Sequence, residues 1–92
     1  MIPKHKRIKL SQKKYIELKT KVYERDQCCV LCGCSTPTNL HHVVYRSQLG
    51  DDAETNCVML CTHCHKVAHG ADSREIRVAL LQYLEAVNDD GN

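Results

Sequence analysis

Two Cys-x-x-Cys pairs, Cys29-Val30-Leu31-Cys32 and Cys61-Thr62-His63-Cys64, stand 28 residues apart and constrain this chain more than any other feature. Two intervening residues let both sulfurs of a pair face one ion, and two such pairs complete a tetrahedral tetrathiolate site of the kind zinc occupies. Gly33 follows the first pair and permits the tight turn after a ligand. Cys28 and Cys34 compete for the same ion, but the two-residue spacing and the glycine favour Cys29 and Cys32. Four thiolates leave no open coordination position, so this zinc is expected to be structural. A chain of 92 residues has room for one domain with a small core, which often needs a metal or disulfides. Seven cysteines is an odd number, and Met1–Leu10 is polar and basic, without the apolar stretch of a secretory signal. A disulfide framework is therefore disfavoured, a cytoplasmic location is expected, and Cys28, Cys34 and Cys57 are read as thiols without a role. No apolar run approaches the roughly 20 residues a membrane helix requires.

Twenty-eight residues exceed the interval of a simple zinc ribbon, so a further unit is built between the pairs. The pattern predicts an α+β fold. Residues 1–10 read as a flexible basic arm, 11–88 as a single domain and 89–92 as a frayed tail. Ser11 is a candidate N-cap, and Tyr15, Leu18 and Val22 give one face of a helix from Gln12 to Arg25 an apolar stripe. Leu40–Tyr45 and Cys57–Leu60 read as short strands joined by a polar loop containing Gly50, Asp51 and Asp52. A helix should run from Thr62 to about Gly70. A last amphipathic helix, opened near Asp72 or Ser73, carries Ile76, Leu80, Tyr83, Leu84 and Val87.

Net charge is only +2, yet nine of the thirteen Lys and Arg residues lie within Met1–Arg25, against Glu17 and Glu24 alone. Such a polycationic end suits attraction to a phosphate backbone. Four tyrosines and no Trp or Phe argue against base stacking as the main mode of binding.

Four of the six histidines cluster around the Cys pairs: His41, His42, His65 and His69. His65 and His69 are four apart and share a helix face, where they can share a metal. His41 and His42 are adjacent on a strand and point to opposite faces, so only one of them can join the helix as a ligand. His5 and His63 fit no pattern.

The order Cys-x-x-Cys-Gly, His41-His42 before apolar residues, a polar loop to Asn56, then Leu60-Cys61-x-x-Cys64-His65-x-x-x-His69 resembles the zinc-binding, ββα-metal type of HNH endonuclease, in a small phage- or prophage-like form. The likeness covers about Arg25 to His69, roughly half of the chain. It implies a metal-dependent DNA endonuclease in which His41 and His65 bind the catalytic divalent cation, His42 is the general base and Asn56 orients the base by hydrogen bonding in the loop. His69 serves as a third ligand in only some branches of that family; otherwise it is a histidine near a helix C-terminus. Imidazole donors suit Mn²⁺, Ni²⁺, Co²⁺ or Zn²⁺, with Mg²⁺ also usable. Arg46 is a candidate for holding a phosphate beside the reacting one. Arg25 and Asp26 resemble a pair that precedes the first knuckle in the family, and their expected role is structural. The expected product carries a 5′-phosphate, and one site on a monomer predicts nicking of double-stranded DNA.

Two other readings compete with this one. A zinc-finger-type nucleic-acid binding module explains the cysteines and the basic arm but not the histidines and Asn56. An accessory protein, for example within a packaging complex, would use the fold to dock a protein partner. A zinc deaminase is excluded because its His-x-Glu motif is absent.

Overall fold

The computed structural model describes residues 7–88, so the predicted arm within residues 1–6 and the tail at 89–92 lie outside the described residues. The expected α+β architecture is observed, in the order α1 (Gln12–Asp26), β1 (Asn39–His42), β2 (Cys57–Leu60), α2 (Thr62–Ala68) and α3 (Ser73–Asn88), with a 3-10 turn at Arg46–Gln48. Ser11 caps α1 through a 3.3 Å bond from the Lys14 N–H to its hydroxyl oxygen. Gln27 ends that helix in the left-handed region, its N–H donating to Tyr23 O.

The two strands pair antiparallel, with Leu40 opposite Met59, His41 opposite Val58 and His42 opposite Cys57. All four residues of β2 are buried, because the hairpin lies between helices on both sides. Cys57 and Met59 pack against Leu18 and Val22 of α1. Val58 and Leu60 face the other way, into a cluster with Cys64 and Ala68 of α2 and Leu80 and Leu84 of α3. Side chains opposite each other across strands share a face, so the register sends His41 toward α2 and His42 toward α1.

A buried carboxylate ties the helices to this sheet. Asp26 receives the Arg25 guanidinium at 2.7 Å and the Met59 N–H at 2.9 Å, and the Tyr83 hydroxyl donates to it from α3. Arg25 also donates to the carbonyls of Glu54 and Cys57, consistent with the structural role expected of the pair.

Several bounds differ from expectation, α1 running one residue further to Asp26 and β1 starting one earlier at Asn39. β1 stops at His42 instead of Tyr45, because the backbone of Val43 and Val44 pairs with Asn56. α2 ends at Ala68, with His69 as its C-cap. The chain at residues 7–10, expected to be flexible, is hydrogen-bonded to the loop at 50–52; for instance, the Asp52 N–H donates to Ile8 O at 2.9 Å.

Candidate active site

The four predicted zinc ligands come together. Their sulfurs all lie within 4.8 Å of one another, and Cys32 Sγ is 3.7 Å from Cys61 Sγ. A tetrahedron of thiolates around zinc has edges of about 3.8 Å, set by a Zn–S distance of about 2.3 Å. Gly33, at φ 80°, closes the first turn by donating to Cys29 O, and Cys61 caps α2 by accepting from the Cys64 N–H at 3.4 Å. Burial raises the Cys29 pKa, but backbone donors at Cys61, Cys32 and Leu31 outweigh it and bring Cys29 down to about 6. Burial and the neighbouring sulfurs push Cys64 strongly upward. Thiols this close resist ionising together without a cation, so the donor set and its spacing fit zinc. Cys28 and Cys34 are not in this cluster, and Cys34 Sγ sits by Thr36 Oγ1 instead. Cys57 is fully buried, which drives its thiol to about 11.

His41, His65 and His69 form a second cluster, each offering a ring nitrogen within 4.8 Å of the others. The Nε2 atoms of His65 and His69 approach to 3.3 Å. His41 is buried, and its Nδ1 has no hydrogen-bond partner among the described residues. Burial and the adjacent His65 and His69 lower His41 to about 4, so its ring is a neutral donor near pH 7. Convergent neutral imidazoles with an unpartnered buried nitrogen fit a divalent cation. Tyr45 braces the cluster, stacking obliquely on His69 at 5.1 Å between ring centroids, with the Arg77 guanidinium over its ring at 4.9 Å.

His42, on the opposite face of β1, is nearly buried. Tyr15 of α1 stacks on its ring at 6.2 Å, and its Nε2 lies 2.9 Å from Asp52 Oδ1. Burial lowers its pKa while the Asp52 contact opposes that shift. Asn56, expected to orient the base by hydrogen bonding in the loop, binds loop backbone: it accepts from Val44 N–H at 2.8 Å and donates to Val44 O and Asp51 O. Its amide matches a backbone N–H and C=O together, so it holds the chain flanking His42 and leaves the ring to Asp52. Arg46 sits half-exposed at the rim, its guanidinium over Tyr15 and its Nε 3.7 Å from Asp52.

A cavity of about 360 Å³ takes in His41, His42, His65, His69, Tyr15 and Arg46. A second, of about 350 Å³, shares Tyr15 and Arg46 with it and continues past Arg7, Lys9 and Gln12. Asp52 and Arg7 were not singled out from the sequence. Nothing local marks them, because they become site residues only through contacts with His42 and each other across the fold.

A hairpin bearing a His pair, seated on a helix bearing two more and closed by four cysteines, defines a zinc-knuckle ββα-metal domain. Residues 29–70 match the family model described as HNH endonuclease, so this segment of the chain is similar to that family. No match was found among curated proteins or solved structures. No helix among the described residues is long and apolar enough to cross a membrane.

Proposed function

We propose that this protein is a metal-dependent endonuclease that hydrolyses phosphodiester bonds in double-stranded DNA. The observation that carries the reading is that His42 and the cluster of His41, His65 and His69 open into one cavity from opposite faces of one strand. His41, His65 and His69 hold the divalent cation, Mn²⁺, Mg²⁺, Ni²⁺, Co²⁺ or Zn²⁺. When bound, that cation neutralises the scissile phosphate and stabilises the departing 3′-oxygen.

The remaining steps belong to the chain. His42 stays neutral near pH 7 and takes a proton from water as the water oxygen attacks phosphorus. The bond from phosphorus to the 3′-oxygen breaks, leaving a 3′-hydroxyl and a 5′-phosphate. Asn56 keeps the loop closed around the base. Arg46 meets a phosphate next to the reacting one, and Arg7 and Lys9 line the adjoining cavity along which the backbone continues. Cys29, Cys32, Cys61 and Cys64 hold the structural zinc and suit a reducing compartment such as the cytoplasm. With one site per chain, a monomer nicks.

Conversion of supercoiled plasmid to its open-circular form tests this reading. With Mg²⁺, Mn²⁺ or Ni²⁺ the native protein should nick, EDTA should stop it, and His42→Ala, with its zinc retained, should be slower by about 10²–10⁴-fold. No conversion with any metal would instead favour a zinc-finger-type binding or packaging accessory module.

A further inference from the structure

The N-terminal segment at residues 7–10 is joined to the loop at 50–52 by five hydrogen bonds. Arg7 Nε donates to Gly50 O at 2.9 Å and Arg7 Nη2 to Asp52 Oδ1 at 3.2 Å. The Ile8 N–H donates to Asp51 Oδ1 at 2.7 Å and the Leu10 N–H to Asp52 Oδ2 at 3.0 Å, while the Asp52 N–H returns a bond to Ile8 O. Three of the five converge on Asp52, whose side chain is 2% exposed. A buried carboxylate is costly unless its oxygens are paired, and the segment supplies both a cation and a backbone donor. A strap that merely tied two loops together would need no third partner. Asp52 Oδ1 nevertheless also meets Nε2 of His42, which lines the cavity holding the histidine cluster.

We propose that Asp52 is the positioning residue for His42, and that the strap at residues 7–10 belongs to the catalytic machinery because it holds that carboxylate in place. This rests on the reading of His42 as the base. A carboxylate on Nε2 keeps the proton there and leaves Nδ1 as the nitrogen that accepts a proton from water, while the Tyr15 ring lies nearly parallel beside it. The base is thereby set in tautomer and direction by a residue ten positions along the chain, which in turn is set by one 45 positions away. Gly50 makes the return possible: a Cβ there would overlap the Val44 carbonyl, so only glycine lets the loop fold back tightly enough.

The test joins steady-state cleavage with nitrogen NMR of the histidine rings. In the native protein His42 should carry its proton on Nε2. Asp52→Asn should lose that preference and lower kcat by about 10–100-fold, the usual cost of removing such an outer partner, with KM and zinc content held. Arg7→Gln, which leaves Asp52 present but unanchored, should lower kcat in the same direction by a smaller factor and serves where Asp52→Asn fails to fold. Native His42 protonated on Nδ1, or a folded Asp52→Asn with native kcat, overturns the proposal. Equal losses in kcat, DNA affinity and zinc content would make the contact structural only and overturn it as well. If the native protein cuts nothing while its ring is protonated on Nε2, the nuclease reading is what fails, and the catalytic meaning of the contact falls with it.

Discussion

His41 and His42 are neighbours in sequence with opposite surroundings, and the alternation of a strand is the whole cause. One joins His65 and His69, and the other meets Tyr15 and Asp52. The Asp52 carboxylate has a consequence in acid. Burial disfavours its ionisation, but the Leu10 N–H, His42 and Arg7 outweigh burial and hold its pKa below the ordinary carboxylate value. A group depressed in the folded state contributes stability above its unfolded pKa, about 4, and loses it as pH falls through the folded one. The stability gap between the native protein and Asp52→Asn should therefore be widest near neutrality and close below about pH 4. Urea midpoints measured across that range check this, and a gap that widens in acid would contradict it. The clustered histidines and cysteines were legible because coordination demands particular residue types at short, fixed spacings. Asp52 was not, because a single acid in a polar loop looks the same whether or not a ring reaches it.

Among the elements, β2 is the one on which the others depend. Its alternate side chains enter two separate clusters, and its Met59 N–H is bound by the carboxylate that also meets Tyr83 of α3. Asp26→Ala should leave the Arg25 guanidinium and that N–H without their shared partner, costing roughly 3–5 kcal/mol, read from denaturant unfolding. Leu80→Ala, which opens a hole between α3 and the sheet, should cost a comparable 2–5 kcal/mol or so while the histidine cluster stays intact. Helix α1 and strand β2 were readable from apolar spacing and β-branched content. The early end of β1 was not: residues 43–45 have a strand's composition, but Asn56 supplies the backbone partners there.

For the molecule as a whole, two donor clusters that could each hold a metal ion, one of four cysteines and one of three histidines, lie on one small body. The four-cysteine cluster joins the turn at Cys29–Cys32 to the start of α2, and structural zinc in small domains contributes about 10–16 kcal/mol of apparent binding energy. Cys61→Ser, or prolonged chelation, should unfold the chain. His65→Ala should keep the fold and the zinc and lose only divalent-metal binding and cleavage. Metal content and thermal midpoints measured on both variants separate the two sites. The likeness to that family, both donor clusters and the α+β class could be read from one dimension, because metal coordination and amphipathic periodicity are written in residue type and spacing. The shared cavity, the strap at residues 7–10 and the Asp52–His42 contact could not, because they depend on which distant segments meet when the hairpin is packed between its helices, and spacing along the chain carries no record of that.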